Sequence, residues 1–194
     1  AMIKNPRYNS KGVNTSAIMG FVNTLEEVLD KEAPTHIGVA FDPHGPTFRH
    51  DLFDKYKAQR EETPEVIKES VPIIKRIIEA YNIPILEVPG FEADDVIGTL
   101  SKQADEIGIK TYMMSPDKDY CQLVTDNVSL FKPRYGDNDF VVMTPSMVKE
   151  HYRITETLQM IDLLALMGDT SDNIPGCPGI GPKTAQKLIS EFKS

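Results

Sequence analysis

The sequence predicts an α/β fold: a mostly parallel, PIN-like sheet flanked by helices, followed by a small helical module. Three observations carry that prediction. Short apolar runs of strand length, Ile37 to Phe41, Ile85 to Val88 and Thr111 to Met114, alternate with longer stretches of helical period. Strands separated by helices can pair in parallel, because the crossover supplies the chain length that a parallel connection needs. Acids then follow the strands: Asp42 comes directly after Phe41, and Glu92 and Asp117 come soon after the next two runs. Beyond the strand ends is where an open parallel sheet presents its ligand site.

Each element has its own signal. Thr15 or Ser16 caps a helix whose apolar face is Ile18, Phe21, Val22, Leu25, Val28 and Leu29, and Pro34 limits its far end. The strand 37 to 41 leads to Asp42 and the turn-rich Pro43-His44-Gly45-Pro46. Thr63 and Pro64 form an N-cap and N1 pair opening a helix through about Tyr81, and Pro72, which lacks an N–H, predicts a kink or a break within it. A strand at 84 to 88, a helix at 92 to 107, a strand at 110 to 114 and a short helix from Asp117 follow. Strands near 127 to 131 and 139 to 143 flank the turn Tyr135-Gly136-Asp137-Asn138 and read as a hairpin. Thr144-Pro145 starts one helix, Thr155 through Met167 forms another, and a last helix runs from Pro182.

Composition narrows the classes of function. The chain has 194 residues, 40% of them hydrophobic, enough for one main domain with a small appendage. No apolar run approaches the roughly 20 residues that span a bilayer, and no signal-peptide pattern opens the chain, so it reads as a cytoplasmic, monomeric protein without a membrane partner. Cys121 and Cys177 are isolated and lack CxxC spacing, which argues against a zinc site or a disulfide framework. His36, His44, His50 and His151 are scattered, and none is assigned a catalytic role.

The chemistry lies in the acids. Glu92-Ala93-Asp94-Asp95, Asp117-Lys118-Asp119 and Asp169-Thr170-Ser171-Asp172 are compact clusters, and with Asp42 they supply eight carboxylates. One such cluster is ordinary at a helix start, where acids stabilise the macrodipole. Three of them placed beyond strand ends suit hard divalent cations such as Mg²⁺ or Mn²⁺, which take oxygen ligands. The net charge of −8 opposes a nucleic-acid partner, but these eight acids equal it in number, so the remainder of the chain is neutral. Two bound divalent ions would cancel half of the eight charges. Without them, crowding should raise carboxyl pKa values and cost stability.

Two further segments point to a phosphodiester. Between Phe41 and Pro64 the chain carries Arg49, Lys55, Lys57 and Arg60 interleaved with Phe48, Phe53 and Tyr56. Alone this is an amphipathic surface helix; beside the acids it suits a single strand, with cations on phosphates and rings on bases. The run Gly176-Cys177-Pro178-Gly179-Ile180-Gly181-Pro182-Lys183 makes a tight reversal before the last helix, whose N-terminus and Lys183 form a natural phosphate site.

These motifs resemble a known family. Ala40-Phe41-Asp42 with Gly45-Pro46-Thr47-Phe48-Arg49-His50, then Gly90 to Val96, Ser115 to Asp119, Gly168 to Gly176 and Gly179 to Ala185, closely resemble the 5′ nuclease domain of bacterial DNA polymerase I, within the flap-endonuclease superfamily. The motifs fall in family order with family spacing across nearly the whole chain. The resemblance implies a nuclease core over 1–153 with an arch segment at about 43–63, and a helix-hairpin-helix module over 154–194. It implies structure-specific hydrolysis of DNA near 5′ ends and flaps by two metal ions, in replication and repair. It also implies a polymerase domain in the same parent chain.

By motif, Asp42, Glu92, Asp94, Asp95, Asp117, Asp119, Asp169 and Asp172 match the family's metal-site carboxylates. Asp42, Asp95, Arg49 and Lys57 match its catalytic residues, and Arg49, Lys57, Arg60, Gly179, Gly181, Lys183 and Thr184 its DNA contacts. The hairpin loop in this family also takes a monovalent cation such as K⁺. Family members begin with an apolar strand ending in a metal-binding Asp ahead of the segment similar to Asn14 to Phe21. Here Ala1 to Gly12 are polar and irregular, so the resemblance implies that this strand is absent and that the C-terminal module is cut short. That leaves a non-catalytic, branched-DNA-binding fragment as the alternative. The hairpin argues against a third reading, an RNA-processing PIN nuclease.

Overall fold

A computed structural model describes residues 6–133 and 140–193. The chain forms two compact units, one of residues 1–41 with 61–87 and one of residues 42–60 with 88–194.

The first unit holds α1 (Ser16–Glu32), β1 (Val39–Ala40), α3 (Glu65–Ala80) and β2 (Ile85–Leu86). Leu25 from α1 packs with Ile74 and Ile78 of α3 and with Ile83, which is the burial that the helical spacing demands. The expected caps are corrected. The Thr15 side chain does not cap α1, because its hydroxyl donates instead to the carbonyl of Arg7 at 3.3 Å, and Pro64, not Thr63, is the N-cap of α3. Pro72 lies inside α3, which continues through it without a break. β1 and β2 pair in parallel, Val39 with Ile85 and Ala40 with Leu86. The expected strands were longer, and the pairing does reach beyond these residues: Val39 N–H donates to Pro84 O and Phe41 N–H to Leu86 O.

The second unit contains α2 (Phe48–Leu52), α4 (Ala93–Glu106), β3 (Thr111–Met114), a 3₁₀ turn at Lys118–Leu123, β4 (Val128–Pro133) and β5 (Phe140–Met143). It continues with α5 (Pro145–Tyr152), α6 (Gln159–Met167), β6 (Gly168–Asp169), β7 (Ile174–Pro175) and α7 (Pro182–Phe192). β3 and β4 are parallel, β4 and β5 antiparallel, so β4 is central and buries Val128, Ser129, Leu130 and Phe131 in succession. The turn predicted at Tyr135 to Asn138 lies outside the described residues. α6 starts four residues later than the Thr155 start expected from the sequence. The Gln159 side chain is the reason: its Oε1 accepts from the N–H groups of Thr155 and Glu156, holding that stretch as a turn. α6 and α7 share one core with β3 and β4, in which Met160, Leu163, Ala185 and Ile189 pack with Met113 and Leu130.

β6 and β7 form a two-residue ribbon that the sequence reading did not anticipate. Gly168 has φ +73°, and a Cβ there would lie 2.3 Å from the backbone nitrogen of Gly176. A Cβ on Gly176 would meet the Met167 carbonyl carbon at 2.3 Å, so both positions require glycine for this close approach. The ribbon carries Asp169 at one end and turns through Asp172, fixing both acids.

Candidate functional site

All eight predicted carboxylates fall in the second unit, delivered by four segments. Asp42 follows β1 and accepts from the N–H of Ala93 at 2.8 Å, which ties it to the first turn of α4. Glu92 is the N-cap of α4, and its own N–H donates to Asp95 Oδ2 at 2.9 Å. Asp117 caps the 3₁₀ turn by accepting from Asp119 N–H at 2.9 Å. Asp169 Oδ1 accepts from the backbone and the hydroxyl of Ser171, at 2.8 and 2.5 Å. Glu92 and Asp117 sit here as caps of their own elements, and Asp42 and Asp169 accept backbone N–H groups as well.

The basic segment reaches directly into this set. Arg49 grips Asp95 bidentately, Nη1 and Nη2 each donating at 2.7 Å. Lys57 Nζ lies 2.9 Å from both oxygens of Glu92, and Arg60 Nη2 donates to Asp172 Oδ1 at 2.5 Å. Backbone contacts fasten the same stretch to the β6–β7 turn: Lys57 N–H donates to Asp172 O, Gln59 Nε2 to Thr170 O, and Asn173 Nδ2 to Lys55 O. Lys57 holds a left-handed backbone, φ 55°, to do so. Arg49, Lys57 and Arg60 thus meet the site's own carboxylates.

Tyrosines missed as site residues complete the arrangement. Tyr56, expected among rings that stack on exposed bases, is only 6% exposed and lies with its hydroxyl 3.0 Å from Glu92 Oε2 and 3.1 Å from Asp172 Oδ2. It has one proton for two carboxylates. Burial, then the Glu92 contact, pushes its phenol well above the ordinary value. Phe48 remains partly exposed, and the Arg49 guanidinium sits 4.6 Å from its ring centre. Tyr120, 3% exposed, donates to Asp94 Oδ1 at 2.5 Å. The signal for it was its position directly after Asp119, where an aromatic follows the acid pair. Lys118, noted in the sequence only as part of that motif, donates to Asp169 Oδ2 at 2.6 Å.

Charge states follow these contacts. The Arg49 guanidinium holds the Asp95 carboxyl below the ordinary range. Burial opposes ionisation of Asp169, but Lys118 and Ser171 outweigh it and bring that carboxyl to about 2. Burial pushes Asp94 up, reinforced by Asp117, Asp42 and Glu92; burial pushes Asp119 up as well, reinforced by Asp117 and Asp169. The acids therefore feel one another as a single set. A cleft of about 390 Å³ opens beside three of them, Asp119, Asp169 and Asp172, and is lined also by Arg49, Tyr56 and apolar side chains such as Leu52, Leu164 and Ile174.

The expected metal centre needs one correction. Among the described residues, no three Asp, Glu, His or Cys side chains converge closely enough to hold one ion. Arg49, Lys57, Arg60, Lys118 and the hydroxyls of Tyr56 and Tyr120 are bonded instead to oxygens of Asp95, Glu92, Asp172, Asp169 and Asp94. The donor chemistry nevertheless fits a hard divalent cation: the candidate ligands are carboxylate oxygens, and among the described residues Asp119 Oδ1 is buried with no hydrogen-bond partner. At the hairpin, Gly179 has φ +78°, no side chain caps α7, and Gly181, Lys183 and Thr184 are all exposed.

Comparison with known proteins shows the family of the chain. The family model described as 5′-3′ exonuclease, N-terminal resolvase-like domain, matches residues 1–153, and 5′-3′ exonuclease, C-terminal SAM fold, matches residues 155–194. DNA polymerase I of Bacillus subtilis is 47% identical over 186 residues, 96% of this chain and 21% of that protein. The chain thus spans about a fifth of the polymerase's length. A 5′-3′ exonuclease of Aquifex aeolicus is 40% identical over 189 residues, 97% of this chain and 64% of that protein. Two solved structures from phage T5 each superpose with a TM-score of 0.73 at 27% identity, covering 90% of this chain and 66% of theirs. One is a 5′-exonuclease with divalent metal ions (zinc) bound, the other the D15 flap endonuclease in a pseudo-enzyme-product complex with DNA and metal ions.

Proposed function

The chain belongs to the 5′-3′ exonuclease family, and from that premise we propose that its acidic cleft hydrolyses DNA phosphodiesters near 5′ ends and flaps. The observation that supports this most is the gathering of eight carboxylates from four segments beside a basic strap, with one buried carboxylate oxygen left unpartnered. Asp42, Glu92, Asp94, Asp95, Asp117, Asp119, Asp169 and Asp172 are the residues that would hold two Mg²⁺ or Mn²⁺ ions. Such ions supply Lewis acidity and a water of lowered pKa.

The chain's own residues do the rest. Arg49, Lys57 and Arg60 carry the positive charge that binds phosphate, and Phe48 offers a partly exposed ring for a base. The uncapped start of α7, with Gly179, Gly181, Lys183 and Thr184, holds the duplex backbone away from the cleft, and the hairpin loop is a candidate for K⁺. No side-chain nucleophile is required. By analogy with its polymerase relatives, the activity would serve replication and repair in the bacterial cytoplasm, in a monomer working alongside a polymerase domain.

The test is cleavage of a 5′-labelled flap DNA in Mg²⁺, with EDTA as the blank. Metal-dependent product near the branch is expected. DNA binding without product would favour the non-catalytic binding module, and product that survives EDTA would overturn the metal-dependent reading.

A further inference from the structure

Four cations are bonded to the acid set among the described residues, and three of them, Arg49, Lys57 and Arg60, come from the basic strap. The fourth, Lys118, belongs to the acid motif itself, between Asp117 and Asp119. Its Nζ lies 2.6 Å from Asp169 Oδ2 and 3.6 Å from Asp119 Oδ1. The first is a hydrogen bond; the second is too long for one, and Asp119 Oδ1 is the buried oxygen without a partner. Asp169 is already committed through its other oxygen to Ser171. A single ammonium therefore stands between a carboxylate that is fully satisfied and one that is not.

We propose that Lys118 is a positioning residue of this site, an internal counter-charge that holds Asp169 near Asp119 and competes with divalent ions for them. The proposal rests on the metal-dependent reading above. Lys118 Nζ reaches Asp119 and Asp169 at once, and Asp117 immediately precedes it, so a cation among these acids offsets their mutual repulsion. Lys118 stabilises the ion-free chain for that reason. The same charge repels an incoming divalent ion, so it weakens ion binding. A group that only braced the fold would affect stability and leave ion affinity alone.

Lys118→Met and Lys118→Arg separate the two roles. In a calorimetric titration with Mg²⁺, Lys118→Met should bind about tenfold more tightly than the parent, because one opposing charge a few ångströms away has gone. Its melting temperature in EDTA should fall, and the gain on adding Mg²⁺ should exceed that of the parent. Lys118→Arg keeps the charge and should restore parent-like affinity. Equal Mg²⁺ affinity in the parent and Lys118→Met would overturn the proposal while leaving the site reading intact. A parent chain that binds no Mg²⁺ would overturn both.

Discussion

Asp94 and Asp95 are neighbours in sequence and opposites in charge state. Asp95 faces the Arg49 guanidinium and is held as a carboxylate; Asp94 is pushed up by burial and then by Asp117, Asp42 and Glu92, against a Tyr120 hydrogen bond that favours its charged form. Successive residues on a helix point about 100° apart, so one step along α4 moves a carboxyl from one environment to the other. Six of the eight acids divide in this way. Glu92, Asp95 and Asp172 are gripped by the basic strap, whereas Asp94, Asp117 and Asp119 are bound by no strap residue. The gripped group is neutralised from within the chain. The other is the one that an external cation would relieve most.

The largest effect is expected at Gly168, whose ribbon carries Asp169 and turns through Asp172. Gly168→Ala forces a Cβ into the Gly176 backbone at positive φ, and urea unfolding should show a loss of about 3 kcal/mol. Flap cleavage should fall with it.

Lys57→Met strikes the gripped group alone. It leaves Glu92, 6% exposed, without its ammonium, and should cost about 3 kcal/mol in urea unfolding measured in EDTA. A loss within experimental error would mean that Tyr56 and Arg49 suffice to hold Glu92.

Acidification should act in opposite directions on the depressed and the raised carboxyls. Asp95 and Asp169 have depressed carboxyls, so their stabilisation is present above about pH 4 and is lost as pH falls through about 2 for Asp169. Asp94 and Asp119 are raised, so their contribution is fully present below about pH 4 and is lost as pH rises through their folded values. Asp119→Asn should therefore be more stable than the parent at neutral pH in EDTA, and the difference should shrink as pH falls toward 4. A pH-independent difference would show that Asp119 is not crowded.

Lys183→Ala lies outside both groups and gives the smallest effect. Duplex binding should weaken modestly and its log–log salt slope should fall by about 1. An unchanged slope would remove the hairpin from the phosphate contacts.

Much of this was legible in the sequence. Apolar periodicity located α1, α3, α4 and β3, and Pro-Lys after the glycine run located α7, because those signals are local. The strap's engagement was not legible. Nothing near Arg49 in sequence says that Asp95, 46 residues on, would bind it bidentately. Tyr56 reads as a stacking ring, and only burial between Glu92 and Asp172 shows its hydroxyl to be what matters. The β6–β7 ribbon escaped because its signal is a pair of glycines meeting across a turn, not a run of β-formers.

Flap cleavage by Asp95→Asn in saturating Mg²⁺, measured beside DNA affinity, decides whether the acids act as one site. If the carboxylates form one metal-dependent site, cleavage should fall by at least about 100-fold while affinity stays largely unchanged. Unimpaired turnover would contradict the assignment of Asp95 and the reading of the acid set as a single catalytic site.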